Sequence, residues 1–322
     1  MNLTCGREEL LEAIMVCQRA ISLKSMLPIL SGVLFKSDKK TLNLSATDLE
    51  ISIRKTLNIE AKEGGAVVIP ARLITDILSS LETENVELSL IKDKGQLELK
   101  AGDSKFTLNV YFEEDFPKIP EAAKGATCTI KGADFNKATK EVVKAASRDE
   151  SKPVLTGALV EITKDTLRMV ATDSYRLALC ETGISEGPKE DISIIVPAKS
   201  LRELSRIISA KGGSSVSISL TENQAIFKTD ETELISRLID GEFPNYKQII
   251  PEGYEKVIKM DREKATGCIR RTAILAQNNA PIRFTATSGQ AVISSSTQDV
   301  GEAIEKMEID YSGDEIKMAF NP

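Results

Sequence analysis

Histidine is absent from the 322 residues. That removes the usual general base near neutral pH, the Ser-His and Cys-His nucleophile pairs, and the commonest metal ligand. The five cysteines (Cys5, Cys17, Cys128, Cys180 and Cys268) are odd in number, scattered, and form no C-x-x-C pair. They read as buried or free thiols of a reducing compartment rather than as disulfides or a zinc site. A phosphate-cradling loop would need Walker spacing, which Lys211-Gly-Gly213 lacks. Only carboxylate or lysine chemistry remains to an enzyme, so the residue types favour binding over catalysis.

What the chain does carry is a polar motif that returns. Ser45-Ala-Thr-Asp-Leu-Glu50 has a later echo in Val170-Ala-Thr-Asp-Ser-Tyr-Arg-Leu-Ala178. Leu27-Pro-Ile-Leu-Ser-Gly-Val33 precedes the first, and Lys152-Pro-Val-Leu-Thr-Gly-Ala158 precedes the second. Pro to Asp is twenty residues in both, 28 to 48 and 153 to 173. Val68-Ile-Pro-Ala-Arg72 returns as Ile195-Val-Pro-Ala-Lys199, and Phe116-Pro117 as Phe243-Pro244. A fainter third copy runs through Ala280-Pro-Ile-Arg-Phe284 and Ala291 to Asp299, and reaches Asn321-Pro322, 125 residues after Pro197. The period is domain-sized, far beyond a solenoid repeat. Counting from the first two copies, the third is expected to lack about 45 C-terminal residues.

The elements that must position these motifs follow the same repeat. Apolar residues at Leu10, Leu11, Ile14 and Met15 recur at helical period, predicting a helix from Arg7 to Ser22. Strand, charged turn and strand follow from Pro28 to Asp48. Pro70 is expected at the first position of a second helix, and Pro197 likewise in the second copy. Asp134 and Asp261 are expected to cap the opening helices of copies two and three. Val86–Leu90, Gln96–Lys100 and Lys105–Val110 form a meander, repeated at Val216–Leu220, Ala225–Lys228 and Glu233–Ile239. Each copy is therefore two helices packed on antiparallel strands, an α+β arrangement. No apolar run approaches the ~18 residues of a membrane helix, and the polar start is no signal peptide. The expected compartment is the cytoplasm.

Charge sorts with these elements. The net charge is −6, yet the five helical windows (7–24, 70–82, 131–148, 197–211, 261–277) hold 17 Lys/Arg against 10 Asp/Glu. The helices total +7 and everything else −13. Helices gathered on one side would give a basic face suited to phosphate contacts without sequence readout. Lys and Arg are also good helix formers on any solvated face, and charge alone does not separate the two readings.

The triplicated unit, with the motifs at 45–50, 170–178 and 195–199, the Leu27-Pro-Ile-Leu30 start and Asp240-Gly-Glu-Phe-Pro-Asn-Tyr246, resembles the bacterial DNA polymerase III β subunit, the β sliding clamps. The resemblance covers essentially the whole chain. It implies three tandem clamp domains at 1–121, 122–250 and 251–322, the third incomplete. It also implies a non-catalytic processivity factor without cofactor or metal. Two subunits of such a factor join head to tail in a ring with helices lining the hole. Double-stranded DNA threads the hole independently of sequence, and a clamp loader opens the ring. Replicative and translesion polymerases and other clamp-binding-motif proteins dock peptides in an apolar pocket.

By this resemblance the client pocket maps onto Leu155, Thr172, Ser174, Tyr175, Arg176 and Leu177, with Pro244, Gln248, Ile249 and Asn321. Aliphatic walls would accept Leu or Phe side chains, and rim polar groups would orient a peptide backbone. Thr47-Asp48 matches Thr172-Asp173 in a copy without a client pocket, so that pair reads as turn structure, its Asp bonding nearby backbone. Tyr175, Arg176 and Leu177 have no such counterparts and carry the functional expectation. Lys24 stands at a family DNA-contacting position, with Arg148 and Lys152 in the matching loop of copy two. Lys137, Lys140, Lys144, Arg202 and Arg206 are helix candidates by charge and period. Phe106 and Leu108 on one side, and Ile274 and Leu275 on the other, are the dimer-interface expectation, although Phe106 and Leu108 would equally suit ordinary core packing.

Overall fold

The computed structural model describes residues 1–22, 27–120, 128–184, 187–210, 215–277 and 280–321. Copy one comprises β1 (Asn2–Gly6), α1 (Arg7–Cys17), β2 (Gly32–Ser37), β3 (Thr41–Thr47), β4 (Ile51–Asn58), β5 (Glu60–Glu63), β6 (Gly65–Pro70), α2 (Ala71–Ser80), β7 (Asn85–Ile91), β8 (Gln96–Ala101) and β9 (Ser104–Asn109). Copy two comprises β10 (Cys128–Lys131), α3 (Gly132–Val142), β11 (Gly157–Ile162), β12 (Thr166–Thr172), β13 (Leu177–Gly183), β14 (Ile192–Pro197), α4 (Ala198–Ala210), β15 (Ser215–Leu220), β16 (Gln224–Thr229) and β17 (Thr232–Arg237). Copy three comprises α5 (Arg262–Ala273), β18 (Ile282–Thr287), β19 (Gln290–Thr297), β20 (Gly301–Glu308) and β21 (Ile316–Phe320).

The sheet orders repeat as the sequence does. Copy one contributes β4-β3-β2-β6, copy two β13-β12-β11-β14, and copy three β20-β19-β18-β21. The remaining strands of copy one form the sheet β5-β1-β7-β8-β9. Those of copy two, β10-β15-β16-β17, join copy one's four through β17 against β4, making one eight-stranded sheet. That junction fuses the first two copies into one compact unit, Met1–Phe243, while Pro244–Pro322 forms another. In the first unit Leu10 and Ile14 of α1, Ile74 and Leu78 of α2, and apolar residues of all three of its sheets share a single core. Phe135 of α3 meets Phe227 of β16 with ring centroids 5.8 Å apart, so one aromatic pair ties the copy-two helices to their meander.

The helix starts correct three expectations. Pro70 and Pro197 end β6 and β14, and the helices begin one residue later at Ala71 and Ala198. A proline can close an edge strand as readily as open a helix, because neither position needs its missing N–H. Asp134 lies in the first turn of α3, where the cap position belongs to Lys131 with no side-chain cap. Asp261 does cap α5, accepting from the Lys264 amide at 2.8 Å. Helix α1 is also shorter than expected, passing into a 3-10 turn at Gln18–Ala20.

The glycine of the repeated Pro-x-Leu-x-Gly motif has a steric cause. A Cβ on Gly32 would fall 2.6 Å from Val68 Cγ1, and one on Gly157 2.8 Å from the Val196 carbonyl. Strands β2 and β11 approach β6 and β14 too closely there for any side chain.

Candidate functional site

The repeated Thr-Asp motif forms the same turn twice. In copy two the Thr172 hydroxyl donates to the Arg176 carbonyl at 2.8 Å and accepts from the Ser174 amide at 3.2 Å. Asp173 Oδ1 accepts from the Tyr175 and Arg176 amides, both at 3.0 Å. In copy one Thr47 bonds the Ile51 carbonyl and the Leu49 amide, and Asp48 Oδ1 takes the Glu50 and Ile51 amides. Both turns force a non-glycine residue to positive φ, 78° at Leu49 and at Ser174. Thr172 and Asp173 are thereby committed to the turn, as the comparison of copies predicted.

The second oxygens differ. Asp48 Oδ2 takes an ion pair from Lys199 of α4, tying copy one to copy two. Asp173 Oδ2 takes the Arg176 guanidinium of its own turn at 3.0 Å. Burial alone would raise the Asp173 carboxyl, but the Tyr175 and Arg176 amides and the Arg176 side chain hold it below its ordinary value.

This turn carries Thr172, Ser174, Tyr175, Arg176 and Leu177 of the expected pocket, and Leu155 lies in a separate turn. Leu177 opens β13 opposite Thr172, half-buried, and Tyr175 is 96% exposed at the tip. Leu155 is buried in the 3-10 turn Pro153–Thr156, its carbonyl accepting from the Ser147 amide at 2.8 Å. Leu155 is therefore fixed within the fold, whereas Tyr175 is open to solvent. In the second unit Pro244, Gln248 and Asn321 are exposed, and Ile249 is an exposed aliphatic after the 3-10 turn Tyr246–Gln248.

The cationic residues gather on α3, on the 3-10 turn Val143–Ala145 that follows it, and on α4, which packs against α3. Asn136 and Lys140 both donate to Ser209 Oγ, at 2.9 and 3.1 Å, and Ser205 donates to Asn136 Oδ1. These bonds leave Lys137, Lys140, Lys144, Arg202 and Arg206 exposed, with Arg148 and Lys152 exposed in the loop that follows α3. Arg202 is held below its ordinary pKa first by burial, then by the nearby charges of Arg148 and Arg206. Like charges placed this close favour an anionic ligand. Lys24 lies outside the described residues. Sequence reasoning did not single out Arg19 or Glu203, which pair at 3.4 Å across 184 residues.

Strand β9 is an edge of its sheet, with Phe106 half-buried and Leu108 in the core of the first unit. Ile274 follows α5 and is 68% exposed, and Leu275 is half-buried.

Comparison with known proteins decides the family. Models of the N-terminal, central and C-terminal domains of the DNA polymerase III beta subunit match residues 1–120, 129–245 and 247–322. The chain belongs to the DNA polymerase III β-subunit family. Across its whole length it is 32% identical to the beta sliding clamp of Pseudomonas putida and 31% to that of Streptomyces coelicolor, spanning 88% and 86% of those relatives. The crystal structure of the β subunit from Pseudomonas aeruginosa superimposes with a TM-score of 0.89 at 30% identity, covering all of this chain and 88% of that one. A sliding clamp from the same organism bound to griselimycin matches with a TM-score of 0.89 at 29% identity, covering 100% of this chain and 87% of that one. Family membership gives the sliding-clamp fold and a non-catalytic, processivity-clamp role.

Proposed function

We propose that two copies close head to tail into a ring around duplex DNA and tether client proteins through the groove beside the β12–β13 turn. The observation that carries this reading is the junction inside the first unit, where β17 pairs with β4. Strand β9 is the copy-one counterpart of β17: the hairpin pair Ala101–Ser104 returns as Thr229–Thr232. Strand β20 is the copy-three counterpart of β4, and both β9 and β20 lie at sheet edges. A second chain can thus repeat outside the molecule the pairing the chain already makes within itself, satisfying two exposed rows of backbone groups.

Carried over to these strands, the register places Phe106 opposite Ala303 and Leu108 opposite Gly301, large against small. Ile274 stands just past α5, as Arg19, just past α1, stands where it reaches Glu203 of α4. Ile274 and Leu275 would accordingly face the α2 end of the partner. The ring would hold clamp domains at 1–121, 122–250 and 251–322, with the α3–α4 cations turned to the DNA.

Phosphate contacts from exposed, flexible cations are independent of sequence and individually weak, which suits sliding. The groove floor of Leu155 and Leu177, with Tyr175 and Arg176 at its rim and Pro244, Gln248, Ile249 and Asn321 from the second unit, would take an apolar side chain of a client peptide. The clients are replicative and translesion polymerases and other clamp-binding-motif proteins, and a loader ATPase opens the ring. The griselimycin-bound relative supports a ligand-accepting surface on this fold. Among the described residues no helix is long and apolar enough to cross a membrane, and the proposed compartment is the cytoplasm with the replication machinery.

The reading is tested by primer extension on a circular template with a bacterial replicative polymerase and loader. The protein should lengthen the products of single binding events, and Leu177→Asp should abolish that gain while leaving the fold intact. Unchanged product length with the wild-type protein would contradict it.

A further inference from the structure

The cationic face contains one carboxylate placed where solvent cannot fully relax it. Glu203 of α4 is flanked by Arg202, accepts from Arg206 at 2.5 Å, and accepts from Arg19 at 3.4 Å. Its side chain is only 13% exposed, whereas Arg19 and Arg206 are 38% and 60% exposed. The matching helix of copy one shows the alternative: Asp76 meets Arg72 at 3.9 Å, with both side chains open to solvent. Glu203 is thus enclosed among guanidinium groups rather than lying on a solvated rim.

We propose that Glu203 is a built-in counter-ion that limits how many cations of the α3–α4 face can engage DNA phosphate. The proposal rests on the reading that this face meets duplex DNA. After burial, the charges of Arg148 and Arg206 are what depress the Arg202 pKa, so the face repels itself in the absence of an anion. Glu203 relieves that repulsion in the free protein and holds Arg19 and Arg206 in fixed positions. An arriving phosphate must compete with an anion already seated between them. The retained contacts are therefore fewer and weaker, and a clamp that must slide needs such contacts. Glu203 is a positioning residue here, because it acts through Arg19 and Arg206 and does not itself touch phosphate.

The test is binding of a short fluorescent duplex by anisotropy across a salt series, with thermal melting as the fold control. Glu203→Gln frees two guanidinium groups, so the slope of log affinity against log salt should steepen by about 1 to 2 and low-salt affinity should rise several-fold. Arg206→Gln should flatten the slope of the Glu203→Gln protein by about 1, and that of the otherwise wild-type protein by clearly less. This pairwise difference separates a counter-ion from a residue that merely joins α1 to α4. A slope unchanged by Glu203→Gln, or weaker duplex binding by a normally melting variant, would overturn the proposal. Salt-independent or absent duplex binding by the wild-type protein would instead overturn the DNA reading beneath it, and the proposal with it.

Discussion

At the scale of single residues, the Thr-Asp turn stores strain for a geometric purpose. Ser174 and Leu49 sit at φ 78°, a region that costs a side-chain-bearing residue about 1–3 kcal/mol. Ser174→Gly should therefore stabilise the fold by about 0.5–1 kcal/mol, read from urea unfolding, after glycine's own entropic cost is subtracted. A loss of stability would mean that the Ser174 side chain makes a contact worth more than the strain. The turn also has a pH signature. Asp173 titrates below its ordinary value in the folded protein, because hydrogen bonds to the carboxylate outweigh the effect of burial. Its contribution should be complete above the unfolded carboxylate pKa of about 4 and lost as pH falls through the lower folded value. Asp173→Asn should flatten unfolding stability below about pH 4 relative to wild type. The repeat made this turn legible in the sequence, since the same Thr-Asp pair stands at 47–48 and at 172–173. The ion pair from Lys199 to Asp48 was not legible, because nothing local links residues 151 positions apart.

At the scale of elements, edges and junctions decide what the chain can join. Of the two edges of the first meander sheet, β5 is four residues of Glu-Ala-Lys-Glu, short and charged. That composition discourages further pairing, whereas the six-residue β9 leaves its row of backbone groups open. Thr107→Cys together with Glu302→Cys, opposite one another in the proposed register, should give an intermolecular disulfide and a covalent dimer on a non-reducing gel. The native cysteines are all buried and should not compete. A monomer under oxidising conditions would reject the register. Within the first unit, Phe135 against Phe227 anchors α3, and Phe135→Ala should cost about 3–5 kcal/mol in unfolding measurements. Periodicity and turn residues placed most strands and all five helices. It misplaced the starts at Pro70 and Pro197, because a proline after a buried strand suits either element. The β17–β4 junction was invisible for another reason: each strand's alternation fixes its faces but says nothing of its neighbour.

At the scale of the whole molecule, three copies of one unit account for both the basic helices and the open edges. The charge sorting read from sequence, +7 on helices against −13 elsewhere, gains geometry from α3 and α4. Those two helices present their cations on the surface and bury Phe135, Leu201 and Leu204 beneath it. The sequence sets Glu203 beside Arg202 and one turn from Arg206, but could not show that Arg19 reaches it, since that contact crosses the junction of copies. The central claim is topological enclosure of DNA. The most direct test loads the protein with a bacterial clamp loader and ATP onto a nicked circular duplex, then compares its retention before and after linearisation. The account predicts that the protein stays on the circle in high salt and is lost through the free ends of the linear form. Equal retention on both forms, or release from both, would contradict it.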